Sequence, residues 1–176
     1  MKKIEIFVTN LGKYVEDELI GEWVTLPVTD EELAEVMKRI GINRQYEEYF
    51  ITDYNLPFGN VHLSEYTRIK DFNDLAEQLD ELDSWDEEKL AAILEYESAY
   101  SIGDIMDIID HLDDFDLLTE VYTDRELGEY WADVCETIDE IPAHLQSYFD
   151  YEAFGRDIRF ESLGGFTSYG FVMDNR

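Results

Sequence analysis

The sequence is poor in basic side chains, with 13 Lys and Arg against 43 Asp and Glu among its 176 residues. The resulting formal net charge of −30 should repel nucleic acid and anionic lipid, so a charged partner is expected to be basic. Apolar residues nevertheless make up 45% of the chain and aromatic residues 14%, which is enough for a packed core. The composition predicts a folded acidic protein rather than a disordered acidic tail.

Cysteine is almost absent, and long apolar runs are missing altogether. The single thiol, Cys135, excludes an internal disulfide and a CxxC redox site. Because it lies among Trp131, Ala132 and Val134, we expect it to be buried. No apolar run approaches the roughly 18 residues of a membrane span, and the N-terminal residues do not resemble a signal peptide. These absences favour a cytoplasmic protein that does not enter a membrane.

Catalytic and cofactor motifs are also missing. The chain has no GxxxxGK or GxGxxG phosphate loop and no GxSxG nucleophile turn. Asp114-Phe115-Asp116 resembles the start of a calcium loop, but Leu118 and Thr119 stand where a further ligand and glycine are needed. Three scattered histidines lack the spacing of a zinc site: His62, His111 and His144. We therefore expect no enzyme activity, no cofactor and no metal.

The acidic residues are concentrated in the stretch from Asp71 to Asp124, which holds 19 Asp or Glu and one basic residue, Lys89. Apolar residues recur at helical spacing between the acids, for example at Phe72, Leu75 and Leu79, so the stretch is expected to fold as helices. Four aspartates three residues apart predict a stripe on one helix face: Asp104, Asp107, Asp110 and Asp113. An acidic face without balancing cations indicates a strongly basic partner.

Eleven carboxylates of this stretch are the candidate partner-binding residues, and a purely solubilising role is the alternative for each of them. They are Asp80, Glu81, Asp83, Asp86, Glu87, Glu88, Asp104, Asp107, Asp110, Asp113 and Asp114.

The first 60 residues predict a small unit of three strands and one helix. Alternation over residues 4–8, the β-prone run 23–26 and the aromatic run 46–54 are typical of strands. Thr29 and Glu32 have capping-box spacing, and the apolar face that follows them ends at Gly41. The N-terminal part is therefore expected to be an α+β unit, residues 1–60.

The remaining chain predicts two further units. Residues 61–113 are expected to form an acidic helical unit, with a turn at Ser84 or Trp85. Residues 114–176 are expected to hold a strand over 115–122, helices over 124–138 and 142–149, and a hairpin with Ile158 and Phe160 in its first strand and Gly164-Gly165 at its turn. The predicted fold is α+β, an elongated chain of three small units.

Two motifs outside the acidic stretch resemble the ArdA-type antirestriction proteins of conjugative plasmids and transposons. The first runs from Asn10-Leu11-Gly12-Lys13-Tyr14 through Glu18-Leu19-Ile20-Gly21-Glu22-Trp23 and is extended by residues 46–49 and 53–58. The second is Tyr148-Phe149-Asp150-Tyr151-Glu152-Ala153-Phe154-Gly155-Arg156-Asp157, preceded by Ile141-Pro142. Asp17 stands where members of the family often carry Gly. The resemblance covers essentially the full chain.

The resemblance implies a non-catalytic protein that imitates duplex DNA. It implies binding to the methyltransferase core of a Type I restriction-modification enzyme, which protects incoming mobile DNA. It also implies an elongated homodimer of three-piece chains that pair through the C-terminal unit. Aromatic residues of that unit are the interface candidates: Tyr122, Tyr130 and Trp131. The aromatic residues of the two motifs, including Trp23 and Tyr148, are expected to pack in a core or an interface.

The acidity is also compatible with two different roles. The protein could be an acidic adaptor or chaperone for basic DNA-binding proteins, which would bind any polycation equally well. Halophilic adaptation would instead distribute acids over every unit, whereas residues 1–60 hold both signs in closer balance.

Overall fold

The computed structural model describes residues 3–64, 66–136, 138 and 141–176, and within them the chain forms six β-strands and seven α-helices. The strands are β1 (Glu5–Asn10), β2 (Gly21–Thr25), β3 (Tyr49–Asn55), β4 (Phe115–Leu118), β5 (Leu163–Thr167) and β6 (Gly170–Asp174). The helices are α1 (Leu11–Val15), α2 (Asp30–Arg39), α3 (Ile69–Glu81), α4 (Ser84–Tyr96), α5 (Ile102–Asp110), α6 (Asp124–Val134) and α7 (Tyr151–Glu161). This content confirms the α+β fold class.

The chain divides into two compact units. The first comprises Met1–Glu87 with Ser98–Ile109, and the second comprises Glu88–Glu97 with Asp110–Arg176. The division therefore falls inside α4 and at the end of α5. The separation into units 1–60, 61–113 and 114–176 stays a prediction.

The first unit contains an antiparallel sheet with strand order β2-β1-β3. Ile4, Ile6 and Val8 are buried, because alternate side chains of a strand point to the same face. Phe7 points to the opposite face, where its cross-strand partners are Trp23 on β2 and Asp53 on β3. The predicted strands of residues 1–60 are thus confirmed, and the sheet has a buried inner face and a partly exposed outer face.

Helices α2 and α3 belong to the first unit together with the sheet. The capping box predicted for α2 is present, because Thr29 Oγ1 accepts from the Glu32 amide at 3.2 Å while the Thr29 amide donates to Glu32 Oε2 at 2.9 Å. Asn73 of α3 accepts a 2.7 Å hydrogen bond from the amide of Val28. These contacts attach both helices to the chain that leaves β2.

The acidic stretch is helical from α3 to α5, as expected, and its apolar residues form the buried faces. Phe72, Leu75 and Leu79 of α3 are buried, and α4 and α5 bury their own apolar residues in the same way. Helix α3 begins at Ile69 rather than near Val61, because residue 61 instead forms a parallel bridge with Ala99.

The second unit is built on an antiparallel sheet with strand order β4-β6-β5. Phe171 of β6 packs with Val121 and Leu127 in a buried cluster, against which Trp131 and Ile158 are partly buried. Glu95 of α4 holds the turn of the β5–β6 hairpin by accepting hydrogen bonds from the Ser168 amide at 2.8 Å and from its hydroxyl at 2.6 Å.

Helices α6 and α7 cross in direct backbone contact. A Cβ atom on Gly155 would lie 1.8 Å from the Asp124 carbonyl oxygen, and one on Gly128 would lie 1.9 Å from the Tyr151 carbonyl oxygen. Arg159 Nε of α7 donates to Asp124 Oδ1 of α6 at 2.6 Å across the same pair of helices. Only glycine permits this approach at the two crossing positions.

The predicted first strand of the terminal hairpin was wrong. Ile158 and Phe160 lie in helix α7, which begins after Asp150 because the carboxylate of this residue accepts the amide hydrogen bond of Ala153 at 3.0 Å. The hairpin consists of β5 and β6, and its turn is at residues 168 and 169.

Gly164 and Gly165 therefore lie within strand β5 rather than at a turn. A Cβ atom on Gly165 would stand 2.8 Å from the ring of Tyr96. Glycine is needed here for close packing, a requirement that cannot be distinguished from turn formation in the sequence.

Several boundaries also differ from the predictions. The short helix α1 at residues 11–15 was not predicted, while the strand from Phe115 ends at Leu118 and the helix from Asp124 ends at Val134. The predicted extension of that helix includes residue 137, which lies outside the described residues. Pro142 does not begin a helix to Phe149, since this segment holds only a 3₁₀ turn at Gln146–Tyr148. Cys135 is exposed, not buried, because it follows the last residue of α6.

Candidate functional site

The eleven candidate carboxylates all lie on, or next to, the helices of the acidic stretch, and we call this set the acidic surface. Nine of them are exposed, and Asp86 and Glu87 are half-buried. Seven belong to the first unit: Asp80, Glu81, Asp83, Asp86, Glu87, Asp104 and Asp107. Four belong to the second unit: Glu88, Asp110, Asp113 and Asp114.

Buried apolar faces keep these carboxylates at the surface. Helix α5 buries Ile102, Ile105, Ile108 and Ile109, so rotating the helix to withdraw its acids would expose four isoleucines. Fully burying one such side chain is worth about 1.5–3 kcal/mol. The orientation of the aspartates on α5 is therefore set by the packing of the opposite face.

The predicted aspartate stripe is carried by α5 for three of its four members. Asp104, Asp107 and Asp110 lie on the helix at a spacing of three residues, with a rise of about 4.5 Å per step. Asp113 lies beyond the end of the helix, in a 3₁₀ turn over Leu112–Asp114. The part of the prediction that extended one α-helical face to residue 113 was therefore wrong.

Two members of the acidic surface also begin helices. Asp83 Oδ1 accepts hydrogen bonds from the amides of Trp85 and Asp86 at 2.8 and 2.9 Å, at the start of α4. Asp104 Oδ2 accepts from the amides of Tyr100 and Ser101 at 2.8 and 2.9 Å, just before the first turn of α5. Carboxylates in this position are stabilised by unsatisfied amides and by the helix dipole.

The amide hydrogen bonds at Asp104 favour its ionised form. Donation from Tyr100 is the main cause that lowers the pKa of Asp104 below its ordinary value, and donation from Ser101 adds to it against the opposing effect of partial burial. Asp104 is therefore ionised at neutral pH. Both amides donate to the same carboxylate oxygen, Oδ2.

The cations of the protein lie mainly outside this stretch, where they pair with neighbouring acids. In the first unit Arg39 contacts Glu22 at 2.7 Å, and in the second unit Arg176 contacts Glu97 at 3.0 Å. Lys89, the single basic residue of the stretch, is buried. Six members of the acidic surface form no ion pair with any described residue: Asp80, Glu81, Asp86, Glu88, Asp113 and Asp114. Their charge is available to a partner.

The three aromatic residues proposed for a dimer interface differ in exposure. Tyr122 and Tyr130 are exposed, whereas Trp131 is partly buried against the core of the second unit. The Tyr130 and Trp131 rings meet edge to face, with centroids 5.9 Å apart. Tyr148 of the second motif is exposed as well.

Neither a metal cluster nor a membrane-spanning helix is found in the part of the chain that the structure describes. Its His, Cys, Asp and Glu side chains form no group of three or more placed to hold a metal ion. Its helices are too short or too polar to cross a bilayer.

A comparison with protein families decides where the chain belongs. Residues 6–173 match the antirestriction protein family ArdA, from the second residue of β1 almost to the end of β6. The chain belongs to the ArdA family. Membership implies an antirestriction function. A search of curated protein sequences found no match.

Both ArdA motifs have an evident structural role. Asn10, buried at the end of β1, accepts from the Lys13 amide at 3.0 Å and donates to the Ile40 carbonyl at 3.1 Å, so it joins α1 to the end of α2. Asp17 of the first motif has a φ of 64°, in the left-handed region that glycine adopts most readily. In the second motif, Asp150 starts α7 and Gly155 allows its crossing with α6.

Proposed function

We propose that this ArdA protein inhibits a Type I restriction-modification enzyme by occupying the DNA-binding groove of its methyltransferase core. The carboxylates of the acidic surface take the place of DNA phosphates, and the protein performs no catalysis. The observation that carries the proposal is a set of six carboxylates that form no ion pair with any described residue and lie on or beside helices whose other faces are buried. Such an enzyme acts on DNA inside the cell, so this function requires a cytoplasmic protein.

The quantity of charge is sufficient for this role. Duplex DNA carries about one negative charge per 1.7 Å of its axis, so a net charge of −30 corresponds to roughly 50 Å of duplex. Two chains carry the charge of roughly 100 Å of duplex. A groove that holds DNA by its phosphates is lined by Lys and Arg, and it is complementary to such a charge density.

Anions held on folded helices have one advantage over DNA. A duplex must be bent or its grooves altered before some proteins bind it fully, and this deformation costs free energy. The carboxylates on α3, α4 and α5 are already held in place, so their binding carries no comparable deformation cost. Since the attraction is electrostatic, the affinity should fall as the salt concentration rises.

We also propose that two copies pair through their second units, with Tyr122, Tyr130 and Trp131 at the interface. Two of these aromatic rings are exposed in the single chain, and exposed aromatic residues are typical of protein interfaces. Sedimentation at micromolar concentration should show a dimer, and a compact monomer there would contradict this part of the proposal.

The direct test is competition for the enzyme. The protein is added to a complex of a Type I methyltransferase core with a fluorescently labelled duplex that contains its target sequence. We expect complete displacement of the duplex at excess protein. A histone-like basic protein without a duplex-shaped groove serves as the control. If this chain bound the histone-like protein as tightly as the methyltransferase core, the acidic adaptor would be favoured. Undiminished DNA binding at saturating protein would contradict the proposed function.

A further inference from the structure

The outer face of the β2-β1-β3 sheet carries a groove that the acidic surface does not include. Its volume is about 560 Å³. We call it the aromatic groove, after its principal lining residues Phe7, Tyr14, Leu19, Trp23, Phe50 and Asp53.

The four aromatic rings of the groove are held in two edge-to-face pairs. Phe7 and Trp23 are cross-strand partners whose ring centroids are 5.4 Å apart, and the rings of Tyr14 and Phe50 are 5.2 Å apart. Gly21 leaves room for the Phe7 ring, because a Cβ atom there would stand 2.6 Å from Phe7 Cε1. The rings are therefore in place without a ligand, which lowers the entropy cost of binding.

These rings are more exposed than packing of the single chain requires. Trp23 is 44% exposed and Tyr14 is 51% exposed, with Leu19 beside them at 67%. A contiguous group of exposed apolar and aromatic side chains is typical of a binding surface.

The charge of the groove restricts what it can bind. Asp53 is its one charged lining residue among those described, and no Lys or Arg lines it. Register places Trp23, Phe7 and Asp53 in one row across three strands, with Phe7 in the middle. Aromatic faces beside a carboxylate suit a planar cation, which can stack on a ring and donate hydrogen bonds to the carboxylate. A nucleobase could stack equally well, but a net charge of −30 repels its phosphates.

We propose that the aromatic groove binds an arginine side chain of the protein that this chain inhibits. The guanidinium lies over Phe7, between Trp23 and Asp53, and pairs with Asp53, while its alkyl stem lies against Trp23 and Leu19. The inference rests on the proposed function, since a groove built to bind phosphates presents arginines at its surface. It adds a shape-specific contact to an attraction that otherwise depends on summed charge.

The binding test uses the side-chain N–H signals of Trp23, Trp85 and Trp131 in a ¹⁵N-labelled sample. The Trp23→Phe variant identifies the Trp23 signal. The probes are two uncharged-terminus tripeptides, acetyl-Gly-Arg-Gly-amide and its citrulline twin, which keeps the shape but lacks the charge. At 0.5 M salt the Debye length is about 4 Å, so distant acids contribute little.

We expect the arginine peptide to shift the Trp23 signal to saturation and to leave the other two signals unchanged. The citrulline peptide should bind the wild type at least about fivefold more weakly than the arginine peptide does. The arginine peptide should bind Asp53→Asn more weakly than the wild type by the same factor. Glu161→Gln removes one exposed charge from the second unit and should bind like the wild type. Equal shifts of all three signals, or equal binding of the two peptides, would overturn the inference.

The competition assay separates this inference from the proposed function. If wild type displaces DNA, Trp23→Ala and Asp53→Asn should need about five- to tenfold higher concentrations than Glu161→Gln. Displacement at unchanged concentrations would overturn arginine binding while the proposed function stands. If the wild type fails to displace DNA, the proposed function fails whatever the peptides show. A change of the sedimenting species in Trp23→Ala would make the groove a contact between copies and would also overturn the inference.

Discussion

Removing the six charges of the acidic surface that have no ion-pair partner among the described residues is the sharpest perturbation of the proposed function. The variant replaces six carboxylates by the corresponding amides, which changes the net charge from −30 to about −24. These are Asp80, Glu81, Asp86, Glu88, Asp113 and Asp114. None of them forms an ion pair with a described residue, so the substitutions should leave the fold intact. Relief of like-charge repulsion within the helices should even raise the stability by a few tenths of a kcal/mol per close pair.

The expected loss of inhibition follows from exposed ion pairs. A solvent-exposed pair contributes up to about 1 kcal/mol, and we take about 0.5 kcal/mol for each carboxylate facing a basic groove. Six of them together give about 3 kcal/mol, which corresponds to a roughly 100-fold higher concentration for half-displacement of DNA. The difference from wild type should shrink as the salt concentration is raised, because screening weakens both.

A matched control removes the same number of charges elsewhere. The control changes six exposed acids outside the acidic surface to amides. None of the six forms an ion pair with a described residue: Asp17, Asp30, Glu31, Glu47, Glu48 and Glu161. We expect this control to need less than about threefold more protein than wild type, because only the distant, screened part of the field changes. Circular dichroism should show that both variants are folded. Equal losses in the two variants would contradict a specific role of the acidic surface, since net charge rather than its placement would then govern inhibition.

Three further predictions concern stability and reactivity, mainly in the second unit. Gly155→Ala should lower the free energy of unfolding, measured with urea, by about 3 kcal/mol or more, because its Cβ would overlap a backbone carbonyl of α6. In the control Gly103→Ala on α5, the Cβ meets no atom closer than 3.5 Å, so the free energy of unfolding should rise by up to about 1 kcal/mol. Asp124→Asn should cost about 1–2 kcal/mol at pH 7, since it breaks the partly buried ion pair between α6 and α7, and the exposed Asp157→Asn should cost less than about 0.5 kcal/mol. Arg159 lowers the pKa of the Asp124 carboxyl in the folded state, so the ion pair's contribution to stability is complete above about pH 4 and is lost as the pH falls through the folded pKa. If the destabilisation caused by Asp124→Asn stayed constant down to about pH 2, the ion pair would not be its cause. Cys135 should react fully with a thiol reagent in the native protein, and protection until unfolding would show that the thiol is covered in solution.

Local patterns were sufficient where one element carried its own signal. The capping box at Thr29 and Glu32 and the alternation of Ile4, Ile6 and Val8 are each determined by residues a few positions apart. Such features could be predicted because the hydrogen bonds or the period that form them are local.

Patterns failed where a distant residue decided the outcome. Ile158 and Phe160 alternate like a strand, but α7 forms because Gly155 allows it to pack against α6. Gly165 lies in a strand, and its lack of a side chain leaves room for the Tyr96 ring rather than forming a turn. The spacing of apolar residues in a short segment cannot show that α7 will meet α6 or that Gly165 will meet Tyr96.

Much of the exposure of the candidate site could be anticipated, because acidic residues are expected on the helix faces opposite the apolar ones. Its eleven carboxylates lie on or beside α3, α4 and α5, and nine are exposed. The ion pairs that neutralise acids outside this set could not be anticipated, since Arg39 pairs with Glu22 from 17 positions away and Arg176 with Glu97 from 79 positions away.

By itself the sequence determined the net charge, the concentration of acids in residues 71–124, the α+β class and the motifs of the ArdA family, because each depends on residue identity or near-neighbour spacing. Two features follow from tertiary packing: which carboxylates have no cation partner among the described residues, and which aromatic rings meet in the groove on the outer face of the first sheet. Both depend on contacts between residues far apart in the chain, and such contacts arise only when helices and strands pack together.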